Sequence, residues 1–293
     1  MAKWKYAYPV IQENVSADIM GWPALPDYET VFGKLKGMGY EGIELQARDF
    51  RTVDKDRLKK ALEKHGLKLA AVGTSPMQKL DGIFLLHEDS AVRAEAEAQA
   101  FLQLALCAEF DAAACIGKFR GSVSEKPGCT WEDLAAVLHR IGSEAERLGV
   151  TAALEAQNPT NMNHLNTIAE MMEWLRKLDE PRIHLHADTF HMSVTEDDVA
   201  AGLKKAGALD HGSSAGALNH GSSAGALIHG GETAFIHISD TKRLVPGKGE
   251  LDFDRIFAAL EEISYEGFIS PEIRQTPDPE TAARECAEYL NKY

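Results

Sequence analysis

The sequence predicts an α/β protein folded as one closed (β/α)8 barrel over residues 1–293. Two observations lead there. Short β-rich runs alternate eight times with longer segments of helical periodicity, the pattern of parallel βα units. The length of 293 residues suits a barrel, which takes roughly 250 residues or more, and no linker-like stretch divides the chain into domains.

The units follow in order. The first strand is residues 4–11, and Asp27 is placed to cap a helix carrying Val31, Leu35 and Met38, ended by Gly39. The second strand is residues 42–45; Asp54 caps the next helix, which stops at Gly66. The third strand covers 67–72, and a long helix over about 90–110 precedes the fourth strand at 112–116. Thr130 caps a helix with Leu134, Val137, Leu138 and Ile141, closed by Gly149. The fifth strand is 150–155. Thr167 and Glu170 form a capping box, each side chain serving the other residue's backbone N–H. Pro181 breaks the chain before the sixth strand, 183–187, and a helix follows over about 197–206. The seventh strand is 234–239, its helix begins near Asp252, the eighth strand is 267–271, and a last helix covers about 280–290.

Residues 206–232 interrupt this pattern with three copies of a nine-residue unit, AGALDHGSS, AGALNHGSS and AGALIHGGE. The unit has little large apolar surface to bury, so it reads as an insertion on the αβ side of the barrel, which serves stability rather than chemistry. Its histidines, His211, His220 and His229, lack the rigid flanks a metal site needs.

Composition narrows the function. The net charge of −14 opposes a nucleic-acid partner, because such binding draws its affinity from Lys and Arg against phosphates. No apolar run approaches the roughly 18 residues of a membrane span, and the lysine–aromatic alternation at the N-terminus is unlike a signal peptide. The expectation is a cytoplasmic protein with no membrane partner, compatible with a homo-oligomer. Its four cysteines, with no Cys-x-x-Cys spacing, read as reduced packing residues.

Catalytic groups of a barrel sit at the C-terminal ends of its strands. Glu155 ends the fifth strand, Asp188 the sixth, His237 lies in the seventh, and Glu272 ends the eighth. Each alone fits a cap or a core role, and Asp188 in particular could cap the turn after it. Four consecutive strands offering ligand-type groups from one rim point instead to a divalent ion, with Mn2+ favoured over Mg2+ or Co2+. Glu44 ends the second strand at a similar rim position. His184, His186 and Asp188 share one side of the sixth strand by its period of two. His186 then lies a layer below Asp188 as a hydrogen-bonded core or supporting residue, with metal ligation the lesser reading, while His164 reads as a surface-loop histidine.

The motifs Asp188-Thr-Phe-His191-Met and His237-Ile-Ser-Asp-Thr-Lys-Arg243, followed by Pro246-Gly-Lys-Gly249 and Asp252-Phe253, resemble the sugar phosphate isomerase/epimerase superfamily. Its members are xylose-isomerase-like TIM barrels and include the ketose 3-epimerases. The resemblance covers nearly the whole chain outside the repeat. It implies that Glu155, Asp188, His237 and Glu272 hold the metal, that Glu155 and Glu272 double as the acid/base pair, and that His191 and Arg243 contact substrate oxygens. It also implies a substrate or supporting role for Glu44. Ketose 3-epimerases carry a second Glu six residues after the fifth-strand Glu; here Asn161 stands there, a neutral amide where substrate would be contacted.

The residue types suit that chemistry. A metal on a carbonyl and a neighbouring hydroxyl stabilises an enediolate, and a positioned carboxylate removes the proton. The expected function is isomerisation or epimerisation of a small sugar, ketose or sugar phosphate. Two alternatives share the fold: a metal-dependent dehydratase of a keto-polyol such as an inosose, and a non-catalytic sugar-binding barrel. Retention of four ligands together with two carboxylate bases argues against the last.

Overall fold

A computed structural model describes residues 4–207 and 233–293. Nine strands form one parallel sheet: β1 (Lys5–Ile11), β2 (Trp22–Pro23), β3 (Gly42–Gln46), β4 (Lys68–Gly73), β5 (Ala113–Ile116), β6 (Ala152–Glu155), β7 (Ile183–Asp188), β8 (Thr233–Ile238) and β9 (Phe268–Pro271). β1 pairs with β3 on one side and β9 on the other, which closes the barrel. The two-residue β2 only extends the end of β1, so β1 and β3–β9 are the eight barrel strands. The helices surround them, and the closed (β/α)8 barrel expected from the alternation is observed.

Helix ends follow the local chemistry of the sequence. Asp27, Asp54, Thr130, Thr167 and Asp252 cap α1 (Tyr28–Gly37), α2 (Lys55–His65), α5 (Trp131–Leu148), α6 (Ile168–Leu178) and α9 (Phe253–Glu262). In each case a side-chain oxygen accepts from an otherwise unpaired first-turn N–H. Thr167 and Glu170 complete the predicted box. Three shorter or later-starting helices complete the ring: α3 (Ser75–Asp81), α7 (Thr189–Thr195) and α8 (Val199–Gly207), alongside α4 (Ser90–Phe110) and α10 (Pro279–Leu290). Neither α3 nor α7 follows from apolar periodicity, because each spans about two turns.

Apolar faces of strands and helices make one continuous layer, with Leu45, Leu104, Leu138, Ile141, Leu185, Ile236 and Leu260 fully buried or nearly so. The lumen holds a second, smaller cluster: Phe235 surrounded by Ala7, Ala70, Ala71, Cys115 and Ala153. One aromatic among small residues thus plugs the barrel and leaves polar side chains for the layer above it. All four cysteines are buried and free, as expected. No described helix is long and apolar enough to cross a membrane.

The repeat at 206–232 is mostly outside the described residues, including its three histidines. Its first two residues, Ala206 and Gly207, belong to the end of α8, and Ala206 is fully buried. The described chain resumes at Thr233, the first residue of β8. Both flanks therefore lie at the opposite end of the barrel from the C-terminal strand ends.

Candidate functional site

The C-terminal strand ends surround a cavity of about 460 Å³. Glu155, His237 and Glu272 line it, Asp188 lies fully buried beside them, and one ligand atom from each of the four lies within 4.8 Å of all the others. The register explains the convergence: Glu155 pairs with His186, Asp188 with His237 and His237 with Ser270. From His237 Nδ1, the nearest oxygens of Glu155, Asp188 and Glu272 are 3.5, 3.5 and 3.6 Å away. His237 Nδ1 and Glu155 Oε1 are buried and have no hydrogen-bond partner among the described residues. Buried polar atoms are normally satisfied. Two orphans facing one point, flanked by two more carboxylates, fit a divalent cation with oxygen and nitrogen ligands.

The remaining atoms of these side chains are held by partners. His237 Nε2 lies 3.0 Å from both oxygens of Glu44, which is fully buried. Glu44 also accepts from Ser270 Oγ at 2.6 Å and Gln46 Nε2 at 2.6 Å. This carboxylate fixes Nε2 as the protonated nitrogen and leaves Nδ1 toward the centre. Glu44 lines the cavity floor, but its hydrogen bonds run to His237, Ser270 and Gln46. Asp188 divides its oxygens. Oδ1 accepts from Phe190 N and His191 N to start α7, while Oδ2 accepts from Arg243 Nη1 at 2.6 Å. The capping reading of Asp188 is realised through Oδ1, while Oδ2 belongs to the four-residue cluster.

Arg243 also reaches Glu272 Oε2 with Nη2 at 2.7 Å and stacks over the Phe190 ring at 4.5 Å. Its backbone has φ 60° and that of Lys242 φ 62°, the left-handed region costly for side-chain-bearing residues. Asp240 holds that turn. Its buried carboxylate accepts from the N–H groups of Thr241, Gly247, Gly249 and Leu251 at 2.8–3.0 Å. The Pro-Gly-Lys-Gly run is thus a backbone cradle around Asp240 that presents Arg243. His191 accepts from Asn158 N at Nδ1, 3.3 Å, and its Nε2 lies 3.1 Å from Arg243 Nη2 and 3.9 Å from Glu155 Oε1. Asn161 is half-buried and lines the cavity.

The proton affinities of the two glutamates diverge. Burial opposes ionisation of Glu155, but the imidazoles of His186, His237 and His191 outweigh it and pull the carboxyl down to about 2. Burial pushes Glu272 up to about 7 against the charges of Arg243 and His237, with Asp188 and Glu155 adding to the rise. His237 is held well above the usual imidazole range: burial opposes its charge, and Glu44, Glu272, Asp188 and Glu155 overcome that.

Two histidines differ from expectation. His164 is buried rather than on a surface loop; Nε2 lies 3.0 Å from Gly121 O and the ring packs edge-on against Trp131. The α5 start brings Trp131 over it, a contact no local pattern encodes. His186 does lie beneath the site, 4.2 Å between ring centroids from His237. It is not hydrogen-bonded, however: neither ring nitrogen has a partner among the described residues.

The structure adds residues that strand-end reasoning passes over. Gln157 Nε2 donates to Glu155 Oε2 as Gln46 does to Glu44, so a Glu-x-Gln spacing at two strand ends was a readable signal. Arg120 is fully buried and donates to the carbonyls of Glu155 at 2.7 Å and His164 at 3.3 Å. Gly117 lies beside them, where a Cβ would stand 2.6 Å from Glu155 Oε2 and would displace that carboxylate.

The family description "Xylose isomerase-like TIM barrel" matches residues 32–293. The ketose 3-epimerase of Arthrobacter globiformis is 28% identical over 239 residues, 80% of this chain and 73% of that protein. The probable ketose 3-epimerase of Synechocystis sp. is 25% identical over 94% of this chain and 88% of its own. Among solved structures, the D-allulose 3-epimerase of Methylomonas sp., in complex with D-allulose, superposes with a TM-score of 0.74 at 19% identity, covering 100% of this chain and 98% of that one.

Proposed function

Because the chain belongs to the xylose isomerase-like TIM barrel family, we infer that it is a divalent-metal-dependent epimerase or isomerase of a small ketose-type sugar. The observation that carries this reading is the convergence of Glu155, Asp188, His237 and Glu272 on one point at a sugar-sized cavity. Matched curated relatives named as ketose 3-epimerases support the substrate class.

Glu155, Asp188, His237 Nδ1 and Glu272 would hold the ion. When bound, it supplies Lewis-acid stabilisation of the negative charge that develops on a carbonyl oxygen. The side chains do the rest. Glu155 and Glu272 act as the acid/base pair: one carboxylate takes a proton from the carbon beside the carbonyl, and the other serves the opposite face of the planar intermediate. Arg243 and His191 offer N–H groups to hydroxyl or carbonyl oxygens, and Gln157 fixes the Glu155 rotamer. Glu44 acts through His237 rather than on substrate. Asn161 offers a neutral amide to the sugar, which sets this pocket apart from one lined by a further carboxylate.

The test is turnover of a ketose panel by Mn2+-loaded protein in D2O. Solvent deuterium should appear at the carbon next to the carbonyl. Glu155→Gln and Glu272→Gln should stay folded and lose about 10²–10⁴ in kcat, the usual worth of a positioned acid or base. Product free of deuterium would replace proton transfer with a hydride shift, and a product absorbing in the ultraviolet would replace epimerisation with dehydration.

A further inference from the structure

His186 is a buried titratable side chain at this site that the proposed chemistry leaves idle. Three observations give it a use. It is 1% exposed, and both ring nitrogens lack a hydrogen-bond partner among the described residues. It borders the same cavity. Its ligand nitrogen lies within 4.8 Å of ligand atoms of both Glu155 and His237. Below it the lumen is closed by Phe235, whose ring centroid is 5.3 Å away, so no polar group beneath can satisfy the imidazole. A histidine kept in a core for packing alone would ordinarily find a partner for at least one nitrogen.

We propose that Glu155, His186 and His237 form a second, nitrogen-rich ligand set, overlapping the carboxylate-rich one, that takes borderline divalent ions. The two sets share Glu155 and His237 and differ in their remaining members: Asp188 and Glu272 above, His186 below. Hard ions such as Mg2+ and Mn2+ favour carboxylate oxygens. Co2+, Ni2+ and Zn2+ gain from imidazole, and two histidines with one glutamate is a ligand set zinc enzymes use. The identity of the ion therefore decides how deep it sits and whether Asp188 and Glu272 remain free for hydrogen bonds.

This inference rests on the reading of the strand ends as a metal centre, and the experiment separates the two. Apoprotein is loaded with Co2+ or Mn2+. X-ray absorption at the cobalt edge of the wild type counts imidazole ligands without any substitution. Two are expected, and one would overturn the proposal while leaving the carboxylate-rich centre in place. Absence of binding by either ion would overturn both readings. In parallel, calorimetric titration of His186→Leu should show Co2+ affinity falling at least about tenfold, the scale on which even supporting residues act on a metal, with Mn2+ affinity within about twofold. The visible spectrum of bound Co2+ should change in the variant. Equal losses for Co2+ and Mn2+, or an unchanged cobalt spectrum, would also overturn it.

Discussion

Replacing Glu44 by glutamine tests the hydrogen-bonded support of His237. Glu44 and His237 are 193 residues apart in sequence, and both carboxylate oxygens lie 3.0 Å from Nε2. The substitution keeps the shape. The amide oxygen can still accept from His237 and Gln46, and the amide nitrogen can donate to Ser270 Oγ. What disappears is the negative charge behind the imidazole, which makes Nδ1 a stronger donor to a metal. Groups in that position are worth about 10–100-fold in metal affinity, and at about 1.4 kcal/mol per tenfold this is about 1.4–2.7 kcal/mol. Full burial of Glu44 limits screening by solvent and salt, which places the effect toward the upper end. The expected outcome is a Mn2+ Kd raised about 10–100-fold by calorimetric titration, with KM for the sugar nearly unchanged once metal is saturating. A folded Glu44→Gln protein that binds Mn2+ within twofold of wild type would refute the argument; a raised KM at unchanged metal affinity would make Glu44 a substrate contact instead.

Three further outcomes are expected. Burial, with the Arg120 charge adding to it, pushes His164 down to about 4 from an ordinary 6.5. The unfolded chain therefore takes up a proton near 6.5 that the folded chain refuses until about 4; stability is intact above that window and is lost as pH falls through it. Thermal melts should show a smaller drop in Tm from pH 7 to 5 for His164→Phe than for wild type, and an equal drop would show that His164 does not contribute. Asp240→Ala leaves four backbone N–H groups without their acceptor, each worth about 1 kcal/mol; urea unfolding should register the loss and kcat should fall as Arg243 loses its turn, whereas unchanged kcat would dissociate the cradle from the site. Deleting residues 206–223 brings Ala224-Gly225 into the place of Ala206-Gly207 at the end of α8, so Mn2+ affinity and kcat should both persist; a large loss of either in folded protein would tie the insertion to the active site.

Much of this molecule could be read from local sequence. Period-two runs, helical spacing and caps such as Asp54, Thr130 and Asp252 depend on residues within four positions of one another, and they located the eight barrel strands to within a residue or two. The four strand-end residues of the candidate site were legible for a related reason: a parallel barrel places every strand's C-terminal end on one rim, so topology alone gathers Glu155, Asp188, His237 and Glu272. What the tertiary structure decided is the pairing behind them. Which His237 nitrogen is free depends on Glu44, brought beside it across the lumen by the closed sheet. The buried Arg120 reaches the Glu155 carbonyl across 35 residues, and His164 is covered by Trp131. His186 was placed at the right depth by strand period, yet its lack of partners comes from Phe235 and small residues filling the lumen below. Such contacts depend on three-dimensional separations of a few ångströms between distant residues, and no local periodicity carries that information.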